Sequence, residues 1–328
     1  MWRRLKQFFS RGKTVLASQK EVDLDSEIVA LRAEALATYE RLQAGSLRSL
    51  DTLEFGELRL PKQADHLERL YRKPEEFGAS FGGFAKAYAP FRIFKDDEVI
   101  MESGADWGYS VLAMRSHGCL AKIISVEAAP FHRQALDRLV ELEDGRYHWL
   151  NAALGRENGE LSLFTPVVNQ RPIGGLTSAG ATLTSEAIQH VTSFAEKYVR
   201  LPDELGRHHF DFRVFPFSVG AWRIPDALEQ LAISPTSVAA IKLDIEGHEG
   251  PVVAGAYDFL EMQKPMVMNE GANRDVEVRD VMSALGYQHY ELHDQNLVPM
   301  PQVSSALDGY WLHPSRVDSY KNRGLSIN

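Results

Sequence analysis

The chain of 328 residues has a single cysteine and no long apolar run, and each scarcity excludes a class of protein. Cys119 alone can form neither a disulfide within the chain nor a cysteine-based zinc site. A chain so poor in thiols is typical of a reducing compartment, so we expect it in the cytoplasm. No apolar stretch approaches about 18 residues, so the sequence predicts no membrane-spanning helix.

Positive charge is also scarce. The sequence contains 36 lysine and arginine residues against 45 aspartate and glutamate residues, for a formal net charge of −9. A broad nucleic-acid surface needs a basic face, so we expect no nucleic-acid partner. The hydrophobic fraction of 44% is sufficient for a sizeable core.

The first 13 residues depart from this acidic pattern. Basic and large apolar residues alternate there: Trp2, Arg3, Arg4, Leu5, Lys6, Phe8, Phe9, Arg11 and Lys13. Such a basic amphipathic segment predicts peripheral contact with the anionic inner face of a membrane. The alternative is a frayed tail, or a helix packed on the protein or on a partner subunit, and the sequence leaves a homo-oligomer open.

Residues 99–108 carry the most informative pattern. An apolar run over 99–101 leads into Glu102 and a turn containing Gly104 and Gly108, after which the residues have helical character. A strand, a glycine turn and a helix form the first unit of a nucleotide-binding site. The Gly-x-Gly start of dinucleotide sites is missing, and Glu102 and Asp106 would repel a pyrophosphate at the helix N-terminus. These acids favour S-adenosylmethionine, which carries an ammonium and a sulfonium but no phosphate.

A second acid follows the next apolar strand. Residues 123–126 end in Glu127, which stands about 20 residues beyond the glycine turn. An acid at this separation is placed to accept hydrogen bonds from ribose hydroxyls. The alternative is a solvated carboxylate at the end of an ordinary strand.

Strands and helices are predicted to alternate along the chain, which indicates a parallel sheet with helices on both faces. The predicted segments are 98–102, 108–117, 122–127, 130–142, 146–151, 226–232, 238–243, 252–260, 265–270, 276–285, 287–292 and 309–312. The segment 166–212 interrupts the alternation, and we interpret it as an insertion or a lid. A further helix is predicted over 26–43.

The densest ionisable cluster is Lys242 to Glu249, directly after an apolar strand. Ligands of open α/β sheets bind beyond the carboxyl ends of the strands. We therefore expect Asp244 and Glu246 to face the same crevice as Glu102 and Glu127. Carboxylates that converge in this way can hold a cation, raise one another's pKa or supply a general base.

This cluster carries a resemblance to a known family. The run from Ile241 to Glu249, followed by 252–256, resembles the signature of the FkbM family of S-adenosylmethionine-dependent methyltransferases. Residues 102–109 resemble the family's glycine loop, with Glu102 for the commoner Asp and Asp106 for Asn. Other segments resemble its later strand ends: Glu127 with Pro130, 151–155 near the adenine, and 265–270. The resemblance covers roughly residues 90–313.

The resemblance implies a Rossmann-like methyltransferase with a mostly parallel, doubly wound α/β sheet and a C-terminal antiparallel hairpin. It divides the chain into an N-terminal helical extension (1–85), a methyltransferase domain (86–315) and a C-terminal tail (316–328). The implied acceptor is a hydroxyl of a sugar, glycan or natural-product-like small molecule. The predicted cofactor-binding residues are Glu102, Gly104, Ala105, Asp106, Gly108, Glu127, Asn151, Ala152 and Asp244.

An alcohol acceptor must lose a proton, so the site needs a base. His248 is the first candidate, because its ordinary pKa is close to neutral, and Asp244 and Glu270 follow. The alternative for His248 is a packing role at a helix start. Asp244, Glu246 and Glu270 are also oxygen ligands of the kind that magnesium prefers, so a divalent metal is the alternative to S-adenosylmethionine acting alone.

Two other functions remain open at this stage. A nicotinamide-dependent oxidoreductase would use the same strand, turn and helix, although the acids disfavour its phosphates. A non-catalytic interaction module would retain the fold without the chemistry, and the intact acidic cluster argues against it.

Overall fold

A computed structural model describes residues 52–60, 62–179, 211–270, 275–300 and 308–328. The basic segment 1–13, the predicted helix 26–43 and most of 166–212 lie outside these ranges. The described chain forms two compact units. The first contains residues 62–161 and 219–328, and the second contains residues 52–60 and 162–218, each within the described ranges.

The first unit is built on a nine-stranded sheet with the order β13-β11-β10-β12-β9-β8-β1-β2-β3. Its strands are β1 (Val99–Ser103), β2 (Lys122–Glu127), β3 (Tyr147–Asn151), β8 (Val238–Leu243), β9 (Met266–Glu270), β10 (Gln288–His293), β11 (Asn296–Pro299), β12 (Asp308–Leu312) and β13 (Ser326–Ile327). Strands β3, β2, β1, β8 and β9 pair in parallel, so their carboxyl ends share one edge. Strands β12, β10 and β11 continue the sheet in antiparallel pairs, and β13 runs parallel to β11.

A smaller sheet has the order β4-β7-β5-β6. Its strands are β4 (Ala153–Leu154), β5 (Gly159–Val168), β6 (Arg171–Pro172) and β7 (Phe212–Trp222). Within the second unit, Thr52 bridges to Val214, and the ring of Phe55 lies 6.0 Å from that of Phe215.

Helices cover both faces of the nine-stranded sheet because its strands are apolar on both sides. In β1, Ile100 packs into one core while Val99 and Met101 pack into the other. The first core receives α1 (Gln63–Arg72), α2 (Pro74–Ala85), α3 (Tyr109–Ser116), α4 (Arg133–Leu142) and α9 (Pro314–Asn322). The second receives α5 (Ile224–Gln230), α6 (Glu249–Gly255), α7 (Tyr257–Gln263) and α8 (Val276–Ala284). The prediction of a mixed α/β fold with a large sheet is confirmed.

Two details of the predicted segments are wrong. The single helix predicted over 252–260 is broken at Ala256 into α6 and α7. The residue before the break must be glycine, since a Cβ on Gly255 would lie 2.6 Å from the carbonyl oxygen of Gly155. The sequence also missed β11 and β13, whose four and two residues are too short for a periodic pattern to be visible.

No helix in the described part of the chain combines the length and the apolar character needed to cross a bilayer.

Substitution of a glycine in the turn after β1 tests how tightly the strands pack at the shared edge. A Cβ on Gly104, which has a φ of +78°, would lie 1.9 Å from the carbonyl oxygen of Asp244, whereas one on Gly118, with a φ of +86°, would meet nothing within 4 Å. We expect Gly118→Ala to lower the free energy of unfolding by about 1–2 kcal/mol, the usual cost of a left-handed residue. Gly104→Ala should cost about 2 kcal/mol more because of the added overlap. Urea unfolding measures both losses, and equal losses would contradict the packing argument.

Candidate active site

The carboxyl edge of the parallel strands gathers the predicted site residues of five neighbouring strands. The turn that follows β1 keeps a left-handed backbone at Gly104, Asp106 and Gly108, with φ values of +78°, +49° and +80°. Gly108 caps α3, and a Cβ there would lie 2.4 Å from Leu139 Cδ1 of α4. Ala105 is buried between them. We call residues 104–108 the glycine loop.

The Glu127 carboxylate is tied to the glycine loop through the backbone. Its Oε2 accepts a hydrogen bond from the Asp106 N–H (2.9 Å), and its Oε1 accepts one from the Ala129 N–H (2.7 Å). The carbonyl oxygen of Glu127 accepts from the Asn151 side-chain amide (2.9 Å) and from the Ala152 N–H (3.1 Å). The ends of β1, β2 and β3 are therefore joined in one hydrogen-bonded arrangement.

His132 supplies a positive charge to this arrangement. Its Nε2 lies 2.8 Å from Asp106 Oδ1, and its Nδ1 lies 3.4 Å from Glu127 Oε1. Burial opposes the charge, but the two carboxylates outweigh burial and raise the pKa of His132 to about 9. In Glu127, burial likewise favours the neutral form, yet His132 and the hydrogen bonds lower the pKa of its carboxyl. His132 thus lies between two acidic side chains.

Lys242 forms a second bridge of the same kind. Its Nζ donates to the Gly104 carbonyl oxygen (2.6 Å) and lies 3.3 Å from Asp244 Oδ2 and 3.4 Å from Glu102 Oε1. Although burial disfavours its charge, Asp244 and Glu102 raise the pKa of Lys242 above its usual range. Ser125 donates to the other oxygen of Glu102 (2.6 Å). Glu102 is fully buried, and these protein groups contact its carboxylate.

Asp244 also belongs to a group of three carboxylates. One oxygen each of Asp244, Glu246 and Glu270 lies within 4.8 Å of the other two. Burial raises the pKa of the Glu270 carboxyl to about 10, helped by the charge of Asp244 and by a hydrogen bond to it. Burial by itself would raise the pKa of the Asp244 carboxyl. The Lys242 charge and the hydrogen bond from Glu270 outweigh burial and hold this pKa well below the usual range. At neutral pH Asp244 is therefore ionised and Glu270 keeps its proton.

Glu246, two residues beyond Asp244, has an exposed side chain. Partial desolvation and the charges of Asp244 and Glu249 raise the pKa of its carboxyl. Converging carboxylates of this kind suit a hard cation. Any cation would compete with Lys242, which already neutralises Asp244.

His248 lies at the start of the next helix. It caps α6, and a Cβ built on Gly155 would lie 3.8 Å from its Nε2. Burial lowers the pKa of His248, and Glu277 is the charged group that acts against this effect. The structure thus brings Asp244 and Glu270 together and orients His248 toward Gly155 and Glu277.

Three residues that the sequence did not assign to the site contribute to it. Lys242 was visible as a lysine inside an apolar strand, a pattern that indicates a buried ion pair. His132 gave no signal, since no spacing links it to Asp106. Tyr88 is buried, and burial together with the charges of Asp244, Asp308 and Glu102 raises the pKa of its phenol.

Comparison with known families agrees with this geometry. The Methyltransferase FkbM domain matches residues 98–289, a span that contains both cationic bridges and the three carboxylates. The match covers more than half of the chain, and the chain belongs to the FkbM methyltransferase family. Membership in this family supports methyltransferase activity.

The chain is also similar to solved structures, at low sequence identity. One is the methyltransferase FkbM from Methylobacillus flagellatus, with 15% identity and a TM-score of 0.39, over 66% of this chain and 44% of that one. Another is the precorrin-6y C5,15-methyltransferase from Geobacter metallireducens, with 10% identity and a TM-score of 0.33, over 80% of this chain and 95% of that one. No curated protein matches the chain.

Removing the Lys242 charge tests how far the site depends on it. Lys242→Met would leave Glu102 and Asp244 without their cation, and breaking one partner of a buried pair costs about 3–5 kcal/mol. We expect urea unfolding to show a loss of this size. The matched control is Lys321→Met on α9, where an exposed lysine should change the free energy of unfolding by less than about 0.5 kcal/mol. Similar small losses in both variants would show that the bridge does not stabilise the fold.

Proposed function

We propose that the chain is an S-adenosylmethionine-dependent O-methyltransferase that acts on a hydroxyl of a sugar, glycan or natural-product-like metabolite. We also propose that its fold is of the Rossmann-like, doubly wound type, with a C-terminal antiparallel hairpin. The division into a helical extension (1–85), a methyltransferase domain (86–315) with an insertion or lid at 166–212, and a tail (316–328) stays part of the proposal.

One observation carries the choice of cofactor. The backbone N–H of Asp106, at the turn where a dinucleotide would bind its pyrophosphate, donates instead to the Glu127 carboxylate at 2.9 Å. The Asp106 side chain adds a further negative charge to the same turn. A phosphate would meet two carboxylates there, whereas a phosphate-free nucleoside with cationic groups would not be repelled.

The residues present fit such a ligand. Each oxygen of Glu127 receives one backbone hydrogen bond and so has accepting capacity left for ribose hydroxyls. Asn151 and Ala152 stand beside it at the end of β3, and Asp244 offers an ionised carboxylate to the cationic end. S-adenosylmethionine, when bound, supplies a methyl group on a sulfonium that is already activated for transfer.

The protein must then orient the acceptor, exclude water and remove the hydroxyl proton. We propose His248 as the base, because its lowered pKa leaves the imidazole neutral and able to accept a proton at pH 7. Glu270 and Asp244 are the competing candidates. Glu270 is protonated at neutral pH and Asp244 is a weak base, so each would need its charge environment to change before it could act.

Titration calorimetry tests the cofactor. We expect S-adenosylmethionine to bind and NADH not to bind, and Glu127→Gln to weaken the binding about tenfold or more by removing the charge that accepts the ribose hydroxyls. Glu160→Gln is the control, because Glu160 is exposed on β5.

Repeating the titration and a turnover assay in excess chelator decides the metal alternative, since full activity excludes a catalytic metal. Binding of NADH in place of S-adenosylmethionine would favour the oxidoreductase.

Turnover of base variants tests the chemistry. His248→Ala should lower kcat by about 10²–10⁴-fold while changing the Kd for the cofactor by less than about threefold. In the wild type, kcat should rise with pH through a value below 6.5, where His248 loses its proton, and then level off. Glu270→Gln, measured in parallel, identifies the base if His248→Ala retains wild-type turnover. Methyl-donor consumption with hydroxylated acceptors is the assay, and no turnover on any acceptor would favour a non-catalytic module.

Location and partners complete the proposal. We propose a cytoplasmic protein whose residues 1–13 contact the inner face of the membrane, with a small-molecule or glycan acceptor, no nucleic acid, and a homo-oligomer as an alternative to the monomer.

A further inference from the structure

We infer that His132 is a positioning residue, a buried imidazolium held between Asp106 and Glu127 that fixes the glycine loop for the cofactor. The identity of that cofactor rests on the proposed function. The charge of His132 and its effect on the loop rest on the contacts alone.

The surroundings of His132 leave its ring little freedom. It ends the short 3₁₀ turn Pro130–His132 before α4 and is 1% exposed. The rings of Trp107 and Phe131 each approach it edge-on, with centroids 4.5 Å from its own. Trp107 directly follows Asp106 in the glycine loop, so the loop contacts His132 through both an aromatic ring and a carboxylate.

The conformation of Asp106 explains why the loop needs this support. A φ of +49° is uncommon for a residue with a side chain, and such a backbone persists only where the surroundings hold it. Two contacts do so here. The Asp106 N–H donates to Glu127 at 2.9 Å, and the Asp106 side chain lies 2.8 Å from His132.

Electrostatics makes the cation necessary. The Asp106 N–H bond to Glu127 brings two carboxylates to the same turn, where their charges repel each other. His132 lies within 2.8 Å of one and 3.4 Å of the other, and these are the charged groups that face it among the described residues. With the imidazolium in place, Glu127 stays ionised and keeps its capacity to accept ribose hydroxyls.

A titration of the imidazole tests the charge without any ligand. With ¹⁵N-labelled histidine, the His132 resonance is assigned among the 11 histidines by its loss in His132→Gln. We expect His132 to titrate at least about 1.5 pH units above 6.5 in the wild type, and at a clearly lower pH in Asp106→Asn, where one carboxylate is gone. Titration of the wild type at or below pH 6.5 would overturn the inference. If His132→Gln does not fold, the resonance that shifts in Asp106→Asn serves as the assignment.

A double-mutant cycle on cofactor affinity tests the positioning role. His132→Gln should weaken S-adenosylmethionine binding about tenfold at pH 7.5, and adding Asp106→Asn should recover most of this loss because the unpaired charge is removed. Above about pH 9 the wild-type affinity should fall more steeply than that of the double variant, because only the wild type also loses the His132 charge.

A control variant separates positioning from a general structural effect. His117→Gln removes a histidine that lies 2.9 Å from the Ala85 carbonyl oxygen, away from the glycine loop, and should leave the affinity unchanged. A loss in His132→Gln that Asp106→Asn does not recover would overturn the inference. Absence of S-adenosylmethionine binding by the wild type would overturn the proposed function instead, and the imidazole titration would then decide the charge of His132.

Discussion

The carboxyl edge of the sheet depends on two buried cations, each inserted between two acids. Lys242 joins Glu102 of β1 to Asp244 after β8, and His132 joins Asp106 of the glycine loop to Glu127 of β2. A buried carboxylate without a partner costs several kcal/mol, so acids can converge at this edge only if cations are buried with them. Both cations also touch the glycine loop, Lys242 through the Gly104 carbonyl oxygen and His132 through the Asp106 side chain.

Because of these bridges, the acids along the carboxyl edge differ in their charge state. The two bridged groups contain four acids and two cations, and beyond them Glu270 and Glu246 have raised pKa values in the field of the ionised Asp244. A cationic ligand would share the ionised Asp244 with Lys242, and the protonated Glu270 lies beside that carboxylate. The same arrangement disfavours phosphate, which connects the electrostatics of the edge to the choice between nucleotide ligands.

Periodic patterns predicted the long elements because burial on both faces leaves a clear apolar run. Strand β8 was predicted over 238–243 and has these bounds in the structure. Patterns were misleading at Ala256, where two helices meet although the apolar spacing predicts one continuous helix. The tight approach of Gly255 to the Gly155 backbone at this point depends on a segment distant in sequence. Patterns were also silent for two-residue and four-residue strands such as β13 and β11, which depend on a neighbouring strand rather than on their own periodicity.

The sequence alone determined the family, the alternation of strands and helices, and the acids that end the strands, because each of these is written in residues close together in the chain. The tertiary structure decided how those acids are charged and where the candidate bases point. Lys242 neutralises Glu102, which is distant in sequence, and His132 is separated from Asp106 by α3 and β2. His248, although only four residues from Asp244, is oriented toward Gly155 and Glu277. Charge states depend on burial and on partners brought in from other strands, and no local pattern contains that information.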